Sequence, residues 1–168
     1  LNCFESPDKI KSLEKLASEL TGDPHHIDLV KHAYSVFVLF FSLSEKTQSI
    51  LKKWVVEMAV GMKKFTKDHP QGIRIKSISE FKEYCYFVAG TVGYLLTDLW
   101  KEYGVLISEK KYKKLSKQAG IFGEGLQSIN ILKDISWDMY KENAHYLPED
   151  ELKNVGLSHV SDFNAANN

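Results

Sequence analysis

Residues 120–140 read GIFGEGLQSINILKDISWDMY, and they decide the fold because they combine a helical hydrophobic period with one narrow polar stripe. At about 100° per residue, the side chains of Gln127, Asn130, Asp134 and Asp138 fall within an arc of roughly 80°. Most of the remaining circumference is apolar, whereas a surface helix carries one apolar stripe on a wide polar face. The pattern therefore predicts a buried helix whose polar stripe faces a charged group.

The carboxylates of this stripe need compensation, because a buried carboxylate pair must be neutralised by cations or protonated. Asn130, Asp134 and Asp138 follow one another at i, i+4 spacing and span roughly 12 Å of helix axis. Oxygen ligands at that spacing suit Mg²⁺, whose octahedra are completed by phosphate oxygens and water. We therefore predict that these three residues bind Mg²⁺; a solvated helix face is the alternative.

The composition excludes several classes of protein. The chain has 168 residues with 22 basic and 22 acidic side chains, so general nucleic-acid binding is not expected. Cys3 and Cys85 lack metal-ligand spacing and predict reduced thiols in a cytoplasmic protein. The apolar run 33–43 is shorter than the ~18 residues of a membrane span and predicts a core helix. The lysine-rich run 110–114 leaves peripheral attachment to anionic lipid as a minority interpretation.

Helical periodicity and capping residues predict an all-α chain with one domain over residues 1–168. No segment has the alternation of a strand, and no internal repeat is evident. The first predicted helix is capped by Ser6 and runs to about Leu20, the second carries the apolar run 30–41, and the third runs from Ser44 to about Lys67. The fourth is capped by Ser77 or Ser79 and ends by Tyr103, and the fifth runs from Ser108 to about Asn143. A short helix follows Pro148, and a loose tail is predicted at 157–168.

A second block, EYCYFVAGTVG at residues 83–93, supplies the other half of the predicted site. Gly90 and Gly93 inside a helix cost roughly 1 kcal/mol each relative to alanine, which suggests a close approach. The approaching group is either a neighbouring helix or a bulky apolar ligand. Tyr84 is the one polar group at the head of this small, smooth face. Its phenol is placed to hydrogen-bond a departing phosphate or a reacting carbon centre.

The block at 83–93, the block GLQSINILKDISWD at 125–138 and Tyr146-Leu-Pro148 resemble the squalene/phytoene synthase family. The resemblance covers residues 1 to about 152. It implies the isoprenoid (terpenoid) synthase fold, a helical bundle around a central cavity, and a chain that is incomplete at both ends. It also implies a Mg²⁺-dependent transferase that condenses two prenyl diphosphates, farnesyl or geranylgeranyl, head to head in isoprenoid biosynthesis. NADPH is implied as well if the product is squalene.

The resemblance assigns roles residue by residue. Asp134 and Asp138 lie in the second acidic motif as metal ligands and catalytic groups, Asn130 is a further metal ligand, and Tyr84 assists ionisation. Glu5 is what remains of the first acidic motif and is a fourth metal ligand. The substrate-binding residues implied are Gln127 and Lys133 at the diphosphate, Val88, Ala89, Gly93, Leu96 and Ala119 along the prenyl chains, and Tyr146.

Several positions depart from the family pattern. Asn2 and Ser6 replace two carboxylates of the first motif, Trp137 replaces a glutamate of the second, and 143–144 read Asn-Ala instead of Gly-Arg. Fewer anionic ligands should weaken Mg²⁺ and diphosphate binding together. Two alternatives therefore accompany the transferase: a non-catalytic relative that serves as a prenyl-binding or assembly scaffold, and a prenyl diphosphate hydrolase. Substrate length and oligomeric state do not follow from the sequence.

Overall fold

The computed structural model describes Phe4 and residues 8–157, apart from the side chains at positions 8 and 13. The described residues form helices without strands, so the all-α prediction is confirmed. The helices are α1 (Asp8–Ala17), α2 (Pro24–Lys31), α3 (Ala33–Ser42), α4 (Glu45–Asp68), α5 (Ile78–Cys85), a π turn (Tyr86–Gly90), α6 (Thr91–Tyr103), α7 (Glu109–Lys141) and α8 (Glu149–Asn154). The predicted cap at Ser6, the metal ligand Glu5, Cys3 and the tail beyond residue 157 lie outside the described part.

The chain forms two compact units, Leu1–Lys53 and Trp54–Asn168. In the first, α1 packs against α2 and α3, and Phe4 makes edge-on ring contacts with Phe37 and Phe40 at 5.3 and 5.0 Å. The single domain over 1–168 stays a prediction. The apolar run predicted as one helix is divided at His32, and α3 is not a core helix, since only Ala33 and Phe40 of it are buried.

The second unit contains the larger hydrophobic core. Its buried members come from α4, α5, α7 and the α4–α5 loop, and they are Phe65, Ile75, Phe81, Tyr84, Cys85 and Ile131. Cys85 is fully buried and its thiol is free, as the sequence predicted. This core packs α5, which carries Tyr84, against the middle of α7, which carries Ile131.

Helices α5 and α6 form one rod interrupted by the π turn. Ser77 begins it as an N-cap, because its hydroxyl accepts a hydrogen bond from the Glu80 amide, which confirms one of the two predicted caps. The π turn was not predicted. Thr91 and Thr97 are buried inside the rod, and each hydroxyl donates to the carbonyl four residues earlier at 2.8 Å. Such back-bonding bends helices and satisfies the buried hydroxyls.

Helix α7 is capped by Ser108, as predicted, and packs along α5, the π turn and α6. The contact is close because Gly123 lies against backbone: a Cβ at that position would be 2.5 Å from the Gly90 nitrogen. The expectation of an all-round buried helix is wrong for the described residues, since only Ala119, Gly123 and Ile131 of α7 are buried. Hydrophobic periodicity identifies an apolar face, but it does not show which element covers that face.

In the described part of the chain, no helix is both long enough and apolar enough to span a membrane.

Candidate active site

Tyr84 lies at the centre of an aromatic cluster between α5 and the loop that follows α7. Its side chain is 5 % exposed, and its ring stacks on Tyr146 with centroids 4.8 Å apart. Phe65 of α4 meets the same ring edge-on at 5.3 Å. The two phenols are hydrogen-bonded to each other. Tyr146 is half-buried, so it is the more exposed member of the pair.

Asp138 lies beside this phenol pair on the last turns of α7. Burial raises the pKa of the Asp138 carboxyl, and the nearby charges of Glu142 and Asp134 raise it further. Part of the shift thus comes from repulsion between acidic side chains, although Lys133 lies 3.9 Å from Asp134. A bound cation would relieve that repulsion, because an opposite charge favours the ionised form.

Both phenols are held in their neutral form. Burial raises the pKa of Tyr84 far above its usual range, and the hydrogen bond with Tyr146 and the charge of Asp138 act in the same direction. Burial also raises the pKa of Tyr146, although its hydrogen bond with Tyr84 lowers it. Both hydroxyls therefore keep their protons at neutral pH and can donate hydrogen bonds.

The loop after α7 holds Tyr146 in place through long-range contacts. Arg74, the only arginine of the sequence, donates to the carbonyl and to the side-chain oxygen of Asn143 at 2.5 and 2.6 Å. Asn143 has φ 51°, and the Asn143 carbonyl approaches Gly72 (φ 109°) so closely that a Cβ there would clash. Asparagine tolerates this left-handed conformation better than most residues, so it fits the position where the family pattern has glycine.

The polar side chains of the α7 stripe differ in how far they are exposed to solvent. Gln127 and Asp138 are half-buried, whereas Asn130, Lys133 and Asp134 are exposed. Lys133 Nζ lies 3.9 Å from Asp134 Oδ1 with both side chains largely in solvent, a geometry that contributes little stability. Within the described ranges, no cluster of three or more His, Cys, Asp or Glu side chains is arranged to hold a metal ion. The stripe therefore brings two carboxylates to one place rather than a complete ligand cage.

An apolar pocket of about 270 Å³ opens between α6 and α7. Three of the five predicted prenyl-contacting residues line it, namely Gly93, Leu96 and Ala119. The other two lie elsewhere: Val88 packs against the hydrophobic core, and the Ala89 backbone lies against Gly123. The pocket's remaining lining residues are Thr97, Trp100, Leu115, Gln118 and Phe122.

Helix α7 thus carries two features: the apolar pocket lies beside its first half, and the carboxylates lie near its C-terminal end, close to the phenol pair. The sequence model of the squalene/phytoene synthase family matches residues 5–168. The chain belongs to the squalene/phytoene synthase family. The isoprenoid synthase fold predicted above is therefore confirmed, and the helices of the second unit are the part of that fold that carries the site.

Curated relatives of this family fall into active and inactive types. The chain is similar to a squalene synthase of Schizosaccharomyces pombe (27 % identity, 66 % of this chain, 24 % of the relative). It is also similar to a chloroplastic phytoene synthase of an Oncidium hybrid cultivar (34 %, 68 % and 28 %) and to inactive squalene synthase 2 of Arabidopsis thaliana (28 %, 74 % and 27 %). The chain thus spans about a quarter of the length of these relatives.

Two features of this squalene/phytoene synthase chain were missed from the sequence. The first is the set of further pocket residues. A search three and four positions from Gly93 and Ala119 finds Thr97, Leu115 and Phe122 among them, but not Trp100 or Gln118. The second is the contact made by Asp98. Asp98 accepts hydrogen bonds from Trp54 Nε1 at 2.7 Å and from the Tyr112 hydroxyl at 2.8 Å, so it ties α4, α6 and α7 together beside the pocket. No local pattern predicts that contact.

Proposed function

We propose that the protein is a Mg²⁺-dependent prenyltransferase that condenses two prenyl diphosphates head to head. The observation that carries the proposal is the Tyr84–Tyr146 pair beside Asp138 of α7, a helix that also lines the apolar pocket. Family membership supports the reaction class. The pocket supports a substrate with a long apolar chain, and the carboxylates support one with an anionic head bound through a cation.

Mg²⁺ fits the donor set on α7. The Asp134 and Asp138 carboxylates repel each other, and Asn130 supplies a third oxygen one turn earlier. Mg²⁺ commonly uses one or two carboxylates and takes its other ligands from water and substrate phosphates, so an incomplete protein cage suits it. Bound there, the metal would stabilise the negative charge that accumulates on a departing diphosphate. Lys133, one residue from Asp134 and 74 % exposed, would contact the same phosphates.

The phenols would act on the carbon end of the substrate. When the allylic C–O bond breaks, its electron pair leaves with the diphosphate oxygen and an allylic cation remains. The neutral Tyr146 hydroxyl can donate a hydrogen bond to the departing oxygen, while Tyr84 orients it through their shared hydrogen bond. The stacked rings of Tyr84 and Tyr146, with Phe65 behind them, offer aromatic faces that stabilise a nearby cation. Gln127, half-buried on α7, would position the diphosphate.

A second candidate is a non-catalytic prenyl-binding relative. Trp137, which stands at a glutamate position of the family motif, is 60 % exposed and adds no ligand. A relative named as inactive is as similar to this chain as one named as a squalene synthase, so similarity does not separate the two candidates. Hydrolysis to a prenyl alcohol uses the same ionisation step, followed by capture of the cation by water.

The test is a titration with farnesyl diphosphate at fixed Mg²⁺, following binding, diphosphate release and hexane-extractable products with and without NADPH. A C30 product that Asp138→Asn and Asp134→Asn abolish, and that the exposed control Asp68→Asn retains, supports the transferase. Prenyl alcohol alone supports hydrolysis, and Mg²⁺-dependent binding without release supports the scaffold. Binding that ignores both Mg²⁺ and the two α7 substitutions refutes the site.

A further inference from the structure

The connection between α6 and α7 displays an unusual pair of aliphatic side chains. Val105 is 99 % exposed and Leu106 is 80 % exposed, so both project fully from the surface. Trp100 and Tyr103, on the last turn of α6, are also more than half exposed. Scattered apolar side chains are normal on protein surfaces, but contiguous ones indicate an interaction site.

The connection holds this pair in a fixed position. The Gly104 amide donates to the Trp100 carbonyl at 2.7 Å, and the Ile107 amide donates back to the Gly104 carbonyl at 3.0 Å. Lys111 reaches from α7 to the Leu106 carbonyl at 3.4 Å. The two aliphatic side chains therefore sit at the tip of an ordered turn, with an ammonium group beside them.

Positive charge surrounds the same tip. The first two turns of α7 contain four lysines, at 110, 111, 113 and 114, against one glutamate. That glutamate, Glu109, already pairs with Lys101 at 2.5 Å. Among the described residues, Lys110, Lys113 and Lys114 have no ion-pair partner within 4.0 Å and are exposed. The charge is thus available to an external anionic partner.

We propose that this tip, residues 103–114, docks on the surface of an anionic lipid bilayer. Side chains that project almost completely cannot form a groove for a peptide, but they can insert between lipid head groups. Aliphatic residues with Trp and Tyr at the same level and lysines around them are the composition of interfacial membrane anchors. The lysines match the negative surface potential of anionic lipids.

The apolar pocket lies next to this tip. Trp100 and Leu115 line the pocket and flank the tip on α6 and α7. A bilayer bound at residues 103–114 would lie next to the pocket, so an apolar product could pass into lipid. This consequence depends on the proposed prenyltransferase function, whereas docking itself does not.

The experiment is flotation of the 168-residue chain with phosphatidylcholine vesicles that contain or lack phosphatidylglycerol. We expect binding only to the phosphatidylglycerol vesicles and a loss of binding as salt rises. Lys110→Gln, Lys113→Gln and Lys114→Gln together should weaken binding about 100-fold, at roughly fivefold per lysine. Leu106→Ser should weaken it about tenfold through the lost insertion.

Matched controls separate the tip from bulk charge and hydrophobicity. Lys52→Gln, Lys63→Gln and Lys67→Gln remove the same charge from exposed positions of α4, and Val155→Ser changes an aliphatic residue that is 71 % exposed. Both should leave binding within twofold. Equal binding to neutral vesicles, no binding at all, or an equal loss in the controls would overturn the proposal. Since no substrate is present, none of these results bears on the proposed reaction.

Discussion

Replacement of Gly123 by alanine tests the contact between α7 and the π turn, which sets the distance between Asp138 on α7 and Tyr84 on α5. A Cβ at Gly123 would lie 2.5 Å from the Gly90 nitrogen and 2.6 Å from the Ala89 carbonyl oxygen. These are backbone atoms of the π turn, so they cannot rotate away as the end of a flexible side chain can. We expect α7 to be forced outward from the π turn.

The size of the effect follows from a control on the same helix. A Cβ at Gly125 has nothing within 4 Å, so Gly125→Ala should stabilise α7 by up to about 1 kcal/mol through helix propensity. Gly123→Ala gains the same propensity but also incurs an overpacking cost of about 1–3 kcal/mol. The propensity gain cancels in the comparison, so the two variants should differ by the overpacking cost. For a chain of this length, their thermal midpoints should lie roughly 2–12 °C apart.

Thermal unfolding followed by circular dichroism measures this difference, with the unsubstituted chain as reference. Gly125→Ala should melt at or above the reference, and Gly123→Ala should melt below it. Farnesyl diphosphate binding should also weaken in Gly123→Ala alone, because the shift separates Tyr84 on α5 from Asp138 on α7. If Gly123→Ala melts as high as Gly125→Ala, the close packing of α7 on the π turn is refuted.

Substitutions at Asp98, Asp138 and Tyr84 test three further contacts. Asp98→Ala removes the acceptor of Trp54 Nε1 and should cost about 1–3 kcal/mol in denaturant unfolding, whereas Asp98→Asn keeps an acceptor and should cost less. Asp138→Asn removes a carboxyl whose pKa is raised by burial and then by its acidic neighbours, so without Mg²⁺ the thermal midpoint of the variant should hold or rise. Its calorimetric Mg²⁺ affinity in the presence of diphosphate should fall about tenfold or more. Tyr84 keeps its proton in the folded chain above about pH 10, where an unfolded tyrosine loses it. The free energy of unfolding should therefore fall as the pH rises beyond about 10, and it should fall less steeply in Tyr84→Phe. Tyrosinate absorbance that shows both Tyr84 and Tyr146 ionising near pH 10 would contradict the last expectation.

The parts of the fold that local chemistry controls were predictable. Ser77 and Ser108 were recognised as caps because an N-cap hydroxyl bonds an amide only three residues away, within the reach of a sequence pattern. The π turn was not predictable in this way. The periodicity of residues 78–103 fits one continuous helix, and the interruption coincides with the close contact between Gly90 and Gly123, which only the tertiary fold creates.

The candidate site shows the same division. Tyr84 and Asp138 were found from their own helices, each as a polar group on an otherwise apolar or small-residue surface. The pairing of Tyr84 with Tyr146 was not foreseen, because it depends on the loop after α7. That loop is held by Arg74 and Asn143, which are 69 positions apart in sequence. Contacts over such separations are set by the whole chain, so no local pattern signals them.

Tyr84 serves the core and the site at once, and this limits which substitutions can reveal chemistry. It packs with Phe65 and Ile131 in the main hydrophobic core, so truncation to alanine would open a cavity and cost about 3–5 kcal/mol by analogy with other large buried aromatics. Loss of activity in such a variant would say nothing about the hydroxyl. Tyr84→Phe removes the hydroxyl alone and keeps the ring. Tyr146 and Asp138 are half-buried at the edge of this core, so they can reach a substrate without leaving their packing partners. Under the proposed function, the chemistry would depend on Tyr146 and Asp138, and Tyr84 would hold Tyr146 in position.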